Sequence, residues 1–527
     1  MTAFLEACLA CSLELLLQST MTRMGGASVA AISHRLDALP TTRGCGGISP
    51  YYLKLLHSAG VGWAMDAMDT FLFTYCLTLI ESEFATEYHR VFTSSERGIL
   101  SSSVFAGSLV GSFLFGHMAD MYGRKPMFTW TMITFAFGNI MCAVADSYGM
   151  LLTFRFIAGI GLGGELPVAT TLVQELSPKA TRGRIIVVLD AFWPIGCILA
   201  IVLAREVTKE VSWRWVFALS TLPVLYALTA RMFVPESPKW LASVGRSNQA
   251  EAIVRAIEAD HGIYHVSANN NNNNNTTDSK VADEIAADVF RYRRLSTRQR
   301  VALLFRGVYL KRSMVLWVIW LGLSFAYFSI YTWLPTIIAQ KSNAFDLNGS
   351  TWTLLAMVAC QVPGYIAAAY AVEVIGRKLT LAAFLLGSCA AAIVFGYVAP
   401  TAANLLVTGG LLSFFMLGAW GALYAYTPEN YPTNIRAMGA AYPAGISRIG
   451  AIGGAYILPI LSDHGWSPEA IMWLNGGVLV ATAVVLIVFG YETRGMNIDD
   501  VSGFDNVAQE YITELRDDSF DEAHILA

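Results

Sequence analysis

Apolar runs of membrane-spanning length recur along most of this chain, with short polar connections between them. A helix needs about 17–25 residues, or slightly more when tilted, to cross the hydrocarbon core of a bilayer, and every run has that length. Strands of a membrane β-barrel would be shorter and would alternate between polar and apolar residues, which these runs do not. The pattern predicts an all-α membrane protein with twelve transmembrane helices, at residues 57–80, 98–118, 127–145, 150–174, 185–204, 215–234, 314–340, 351–372, 379–399, 403–427, 438–461 and 470–490.

The composition agrees with a membrane protein and excludes several other classes. Only 14% of the 527 residues are charged, against about 25% in a soluble globular chain, and 55% are hydrophobic. A net charge of −4 offers no basic surface, so no nucleic-acid partner is expected. The eight cysteines are scattered and form no disulfide framework. The sequence holds no nucleophile–base constellation, nucleotide-binding cassette or metal cluster, so we predict neither an enzyme nor a cofactor.

Hydrophilic segments divide the chain into parts. Lys and Arg are more frequent in the connections that share a side with the termini, which predicts that both termini are cytosolic. The membrane would be the plasma membrane or that of an intracellular vesicle. The predicted parts are an N-terminal extension (1–48), a first six-helix bundle (49–234), a cytosolic linker with an asparagine tract (235–312), a second six-helix bundle (313–490) and an acidic cytosolic tail (491–527).

The linker contains a basic stretch that begins at Arg291 and lies next to the membrane. Such a stretch is suited to contact with anionic lipid. Within it, Arg293-Arg294-Leu295-Ser296 is similar to a basophilic kinase site, which makes Ser296 a candidate for phosphorylation.

Two motifs repeat at nearly the same offset. Gly116-x3-Asp120-x2-Gly123-Arg124-Lys125 returns 253 residues later as Ala369-x3-Glu373-x2-Gly376-Arg377-Lys378. Glu175-x2-Pro178-x3-Arg182 returns 254 residues later as Glu429-x2-Pro432-x3-Arg436. Two different motifs rarely share an offset by chance, so the two bundles are predicted to be parallel repeats.

These motifs resemble those of a known family. The first is similar to the signature loop of the major facilitator superfamily, and Pro235–Trp240 and Glu492–Gly495 resemble its sugar-porter branch. Trp63-Ala-Met-Asp66-Ala-Met-Asp69 and Tyr426–Thr433 are similar to the synaptic-vesicle-protein-like branch, to which nicotinate transporters belong and aromatic-acid proton symporters are related. The resemblance implies two six-helix bundles and transport of a small organic ion such as an aromatic carboxylate.

The same resemblance implies a conformational role for the repeated loops. Residues of these loops would hold the two halves together on the cytosolic side and stabilise the outward-facing state, without contacting substrate. The implied gate residues are Gly116, Asp120, Gly123, Arg124, Lys125, Glu175, Arg182, Glu373, Arg377, Glu429 and Arg436.

Charged residues inside the membrane need a reason, because each costs about 2.5–3.5 kcal/mol on insertion scales. Asp66 and Asp69 are three residues apart and share one helix face, and Glu165 lies at a similar depth. Carboxylates at one level of an apolar cavity are suited to carrying protons. Arg155 has the reach to pair with Asp69. The competing interpretation is a purely structural ion pair or gate. The remaining buried charges are Asp190, Arg231 and Arg448.

Arg448 is the one charge well inside the second half of the predicted membrane region. Its planar guanidinium fits a carboxylate, which is either that of a substrate or that of an acidic residue across the bundle interface. In the family fold, spans 1, 4, 7 and 10 line the cavity. Aromatic residues of spans 7 and 10 are therefore expected to include substrate contacts, with Tyr327, Tyr331, Trp420 and Tyr424 as candidates.

The sequence therefore predicts a secondary transporter that works by alternating access as a monomer in a lipid bilayer. Its partners would be a small organic solute, preferably an organic anion, and protons. A facilitative or proton-linked transporter of a sugar or polyol is one alternative, and a membrane sensor that does not transport is another.

Overall fold

The computed structural model describes a chain that is helical along most of its described length. The asparagine tract, Ser296, Arg231 and the tail from residue 495 lie outside the described residues, as does most of the N-terminal extension. The described residues are 32–39, 50–178, 182–208, 210–222, 224–226, 229, 234–261, 263, 297–342, 347–399, 401–431 and 435–494.

Seventeen helices of these residues are numbered here in chain order. They are α1 (Pro50–Glu87), α2 (Ser94–Tyr122), α3 (Arg124–Ala143), α4 (Tyr148–Leu176), α5 (Arg182–Asp190), α6 (Phe192–Thr208), α7 (Trp213–Leu219), α8 (Pro238–Ser243), α9 (Ser247–Asp260), α10 (Thr297–Leu304), α11 (Gly307–Ser342), α12 (Leu347–Ala359), α13 (Gln361–Val374), α14 (Arg377–Tyr397), α15 (Ala402–Glu429), α16 (Arg436–Asp463) and α17 (Pro468–Phe489).

Nine helical segments of the described chain are long and apolar enough to cross a membrane, and they coincide with nine of the predicted runs. Two further runs lie in α1 and α3, which have 38 and 20 residues and therefore sufficient length. These two helices are more polar, since α1 carries Asp66 and Asp69 and α3 begins with Arg124 and Lys125. The run at 215–234 falls partly outside the described residues.

Two of the predicted spans are interrupted near their middle. The span at 185–204 breaks between α5 and α6, and the span at 351–372 breaks between α12 and α13. In both cases the first helix ends four residues before a proline, at Asp190 before Pro194 and at Ala359 before Pro363. Proline lacks the amide hydrogen that would bond to that carbonyl, and its ring clashes with it, so each break has a local cause.

The helices of the two halves pack in the same order, as the repeated motifs predict. In the first half, α2 and α3 pack along α4, and α1 packs along α6. In the second half, α13 and α14 pack along α15, and α11 packs along α16. The repeat in sequence is therefore a repeat in structure.

The two halves meet chiefly where α2 packs against α16, with a smaller contact between α6 and α12. The first contact closes the side of the molecule that holds the beginning of α2 and the end of α16. There Ser94 donates a hydrogen bond to Asp463, and Gly98 lies so close to Tyr456 that an added Cβ atom would come within 2.7 Å of the tyrosine carbonyl oxygen. We call the opposite side, where α4 ends at Leu176 and α15 ends at Glu429, the linker side.

A short N-terminal segment, residues 32–39, docks on the helix α9 that follows the first half. Arg35 donates two hydrogen bonds to Glu258 and two to Glu251, at 2.5–2.8 Å. Hydrogen bonding from Arg35 lowers the pKa of Glu251 below its ordinary value. The segment therefore carries a charged contact on the linker side, outside the membrane.

Candidate functional site

A cavity lies between the two halves and reaches toward the linker side. Residues near the linker-side ends of α4, α15 and α16 line its mouth, and the side opposite the linker is closed by the contact of α2 with α16. The lining residues are Trp63, Ser112, Leu166, Pro167, Thr170, Thr171, Gln174, Ile186, Trp193, Trp320, Tyr327, Phe328, Tyr365, Leu417, Trp420, Tyr424, Thr427, Pro428, Ala440, Ala441, Ala444, Gly445, Ser447 and Arg448.

Arg448 lines this cavity, and its nearest carboxylate comes from the other half. Its Nη2 atom lies 3.7 Å from Oδ2 of Asp66, and both side chains are nearly fully buried. This separation allows Coulomb attraction but exceeds a hydrogen bond, and Asp66 Oδ2 has no hydrogen-bond partner among the described residues. The guanidinium therefore keeps donor capacity for a further anion.

Aromatic rings surround the approach to Arg448. Trp320 packs edge-on against Trp420 and Tyr424, with ring centroids 5.5 and 5.1 Å apart. Tyr327 lies 6.0 Å from Trp420 and accepts a hydrogen bond of 2.8 Å from the indole of Trp193. Three of the four predicted contacts, Tyr327, Trp420 and Tyr424, line the cavity.

Tyr331 is the fourth predicted contact and is not among the lining residues. It stacks on Tyr327 with centroids 4.6 Å apart, and its hydroxyl donates to Ser413 at 2.9 Å. The side chain is buried behind the cavity wall, so it supports Tyr327 in this conformation.

Asp69 and Arg155 form an ion pair inside the first half, away from the cavity lining. Arg155 Nη1 lies 2.7 Å from Asp69 Oδ2, and neither side chain is exposed to solvent. Asn139 donates to the second oxygen of Asp69 at 2.8 Å, and the Arg155 guanidinium lies 4.4 Å from the ring centre of Phe73. The pair connects α1 to α4, with the geometry of a structural link.

Glu165 is buried on the face of α4 that packs against α3. It accepts a hydrogen bond of 2.8 Å from the hydroxyl of Thr131 and does not line the cavity. The three predicted carboxylates therefore do not share one environment, because each has different neighbours. Of these three, Asp66 is the one whose ion-pair partner, Arg448, lines the cavity.

The predicted gate loop of the first half is held within that half. Arg124 Nη2 lies 2.9 Å from Asp120 and 3.2 Å from Glu175. Glu236 accepts hydrogen bonds from the backbone amides of Arg124 and Lys125 at the beginning of α3. A carboxylate at a helix N-terminus satisfies amides that have no partner within the helix.

The second half repeats this arrangement. Arg377 donates three hydrogen bonds to Glu429 at 2.8–3.1 Å, and Glu492 accepts from the backbone amides of Arg377 and Lys378. The preceding residues, Gly123 and Gly376, both have φ near +107°, a conformation that favours glycine. We call the contacts of Glu236 and Glu492 with these amides the two glutamate clamps.

The other predicted gate residues make none of the contacts described for these loops. Glu373 is exposed, and a Cβ atom at Gly116 would meet nothing within 4 Å. The side chains of Arg182 and Arg436 lie outside the described residues. The contacts described for the loops stay within one half. This agrees with a cavity that reaches the linker side, because loop contacts between the two halves would close it there.

Sequence reasoning missed several residues of these sites. Trp320 lies seven residues before the predicted contact Tyr327, so helical spacing alone would have placed it on the lining face, whereas Trp193 has no such spacing from a predicted contact. The clamps lie in motifs that carried the family resemblance, but only the folded chain brings Glu236 and Glu492 to the loops. Tyr365 carried no signal in the sequence.

The chain matches the family model described as Sugar (and other) transporter over residues 58–503. The chain belongs to this family. The resemblance to the major facilitator superfamily and the predicted all-α fold of two six-helix bundles are confirmed. Its relatives are transporters and not enzymes, so this family member is a multi-pass membrane transporter of a small organic solute.

Individual relatives cover most of the chain. The niacin transporter NiaP of Acinetobacter baylyi is 36% identical over 469 residues, which are 89% of this chain and 98% of the relative. The synaptic vesicle 2-related protein of Xenopus laevis is 25% identical over 480 residues, 86% of this chain and 81% of the relative. The structure of the proton:xylose symporter XylE bound to 6-bromo-6-deoxy-D-glucose matches with a TM-score of 0.68 at 18% identity, over 85% of this chain and 98% of that one. At that identity the likeness shows the fold alone.

Proposed function

We propose that this transporter moves a small aromatic carboxylate, with nicotinate as the first candidate, together with a proton. The observation that carries the proposal is the Arg448–Asp66 pair at 3.7 Å beside an aromatic cavity between the two halves. The name of the bacterial relative, a niacin transporter, supports the choice of substrate.

Arg448 would bind the carboxylate of the substrate. A guanidinium donates to both oxygens of a carboxylate in a planar fork, and hydrogen bonds of this kind are stronger than neutral ones. Because the pair with Asp66 is longer than a hydrogen bond, an incoming carboxylate would gain contacts that Asp66 does not make. The rings of Trp320, Trp420 and Tyr424 would pack against the aromatic ring of the substrate.

Asp66 would couple the proton. When a substrate carboxylate takes the guanidinium, Asp66 loses its cationic partner in a buried site, where an isolated charge is costly. Uptake of a proton by Asp66 removes that charge and frees Arg448 for the substrate. When the substrate leaves, Asp66 releases the proton and pairs with Arg448 again. Because the pair joins the two halves, its exchange would also change their contact.

The site lies within one chain, which supports a functional monomer. We also propose that both termini face the cytosol, supported by the excess of basic residues on the linker side. The proposed parts are those of the sequence prediction, with bundles at 49–234 and 313–490 joined by a linker. A sensor that does not transport would depend on Ser296 and the basic stretch, of which residues 291–296 lie outside the described residues.

The experiment is uptake of labelled nicotinate into proteoliposomes with and without an imposed pH gradient. We expect accumulation only with an inward proton gradient, and competition by benzoate but not by hexose. Asp66→Asn should still bind substrate but respond more weakly to the gradient than wild type. Arg255→Gln, which removes an exposed cation outside the cavity, is the matched control. Uptake that ignores the gradient would reject the coupling, and competition by hexose alone would favour the polyol alternative.

A further inference from the structure

Asp190 is a buried carboxyl group with no partner among the described residues. It is the last residue of α5, its side chain is inaccessible to solvent, and neither oxygen has a hydrogen-bond partner. The other buried carboxylates in the spans differ in this respect. Asp66 faces Arg448, Asp69 is bonded to Arg155, and Glu165 accepts from Thr131.

A bare carboxylate in this position would be very unfavourable. An ionised group without a counter-charge or hydrogen bonds is strongly destabilised away from water, and more so in a membrane-spanning segment. Protonation removes that charge at the cost of one proton taken from water. The geometry therefore favours the neutral acid at Asp190 in this conformation.

The helix that carries Asp190 contacts both halves of the molecule. Although α5 is part of the first half, it packs against α15 of the second half. The phenols of Tyr365 on α13 and Tyr424 on α15 lie within electrostatic range of Asp190. Asp190 therefore lies at an interface between the halves, which alternating access must rearrange.

The local backbone also favours movement at this point. Pro194 removes the hydrogen bond that would join the Asp190 carbonyl to the next turn, so α5 and α6 are separate helices. Ile186 and Trp193, about one turn to either side of Asp190, both line the cavity. A change in the angle between α5 and α6 would thus alter the cavity wall and the cover of Asp190 together.

We propose that Asp190 is a second proton-binding site of the transport cycle, separate from the Asp66–Arg448 pair. It holds its proton while the interface with Tyr365 and Tyr424 is closed, and exchanges it with water when the halves separate there. In each exchange one carboxyl O–H bond forms or breaks and one proton passes to or from water. The link to substrate movement rests on the proposed function, whereas protonation of Asp190 does not.

The first test needs no substrate. Infrared spectra of the full-length protein in lipid nanodiscs at neutral pH would be compared between wild type and Asp190→Asn. We expect wild type to show the carbonyl stretch of a protonated carboxylic acid, and Asp190→Asn to lack one such band. Asp66→Asn is the matched control and should keep the Asp190 band. Spectra of wild type and Asp190→Asn that agree in this region would overturn the proposal. If Asp190→Asn does not fold, Asp190→Leu serves the same comparison.

The second test addresses exchange. Cysteines in place of Ser94 and Asp463, once cross-linked, would hold the halves together on the side opposite the linker. We expect the Asp190 band to resist alkaline pH in the cross-linked protein and to disappear at alkaline pH after reduction. If the Asp190 band responds to alkaline pH in the same way before and after reduction, the proposed proton exchange is overturned.

The transport role is tested in proteoliposomes. Asp190→Asn should lower the number of protons moved per substrate by one, and an unchanged ratio would overturn the role in transport. If wild type takes up no nicotinate, the proposed function fails while the spectra still decide whether Asp190 holds a proton.

Discussion

At the scale of single residues, the buried charges differ mainly in their partners. Arg155 makes a close ion pair with Asp69, supported by Asn139, whereas Arg448 makes a loose one with Asp66 beside the cavity. The sequence places all four in membrane spans, and their cost predicts that each has a purpose. The sequence cannot show which of the two pairs is close and which is loose, because the distance between two side chains on different helices depends on how those helices pack.

Replacing Arg448 should weaken binding of an aromatic carboxylate. Charge-assisted hydrogen bonds contribute about 1.5–3 kcal/mol, so Arg448→Gln should lower nicotinate affinity roughly 10- to 150-fold. Arg448→Lys keeps the charge but loses the planar fork, so its nicotinate affinity should lie between those of wild type and Arg448→Gln. Titration calorimetry on the purified protein measures both. Nicotinamide, which lacks the carboxylate, is the comparison ligand, and an equal loss for both ligands would contradict a role in binding the carboxylate.

Breaking the Asp69–Arg155 pair should destabilise the protein. Asp69→Asn leaves the Arg155 guanidinium buried without an anion, which typically costs about 3–5 kcal/mol. Asp69→Asn combined with Arg155→Leu should cost less than Asp69→Asn alone, since no isolated charge remains. Thermal unfolding in detergent of wild type, the single variants and the double variant measures the coupling. Additive effects of the two single changes would show that the pair contributes no stability of its own.

At the scale of elements, the sequence predicts helix positions well and their interruptions poorly. The runs at 185–204 and 351–372 are apolar apart from a few residues such as Asp190 and Gln361, so hydropathy indicates one helix in each case. The breaks follow from Pro194 and Pro363. Yet Pro167 in α4 and Pro443 in α16 lie within unbroken helices, so a proline alone does not determine whether a helix is interrupted. In membrane proteins, neighbouring helices and side chains can satisfy a carbonyl that a proline leaves without its partner.

The contact of residues 32–39 with α9 should depend on pH. The pKa of Glu251 is lowered in the folded protein, so its contribution is complete above the unfolded value of about 4.3 and is lost as pH falls through the folded value. Spin labels at Ala38 and Gln249, both exposed, should report one short distance at neutral pH and a broad distribution only below about pH 4. Separation already near pH 6 would show that the carboxylate of Glu251 does not control this contact.

At the scale of the whole molecule, the repeat in sequence predicts the order of packing in both halves. It does not predict which side of the molecule is closed. That follows from the contact of α2 with α16, where Gly98 lies against Tyr456, and both helices hold small residues along much of their length. The two conformations of an alternating-access protein share one sequence, so the pattern of residues does not distinguish between them.

A cross-link on the closed side should stop transport without stopping binding. Cysteines at Ser94 and Asp463 would join α2 to α16 where these side chains are already in contact. Uptake should be lost on cross-linking and return on reduction, because the halves cannot separate on that side. Nicotinate binding from the linker side should persist, as the cavity remains accessible there. Uptake that survives the cross-link would show that this contact does not open during transport, and Ser94→Cys alone controls for the substitution.

The two glutamate clamps have a consequence for how the chain can be divided. Each clamp joins the segment that leaves a half to a loop between two helices of that same half, through Glu236 in the first and Glu492 in the second. Each clamp is therefore formed between residues of the same half and its following segment, and neither clamp uses a residue of the other half. Two polypeptides made by cutting the chain within residues 264–296 and produced together should thus assemble into a complementing split protein.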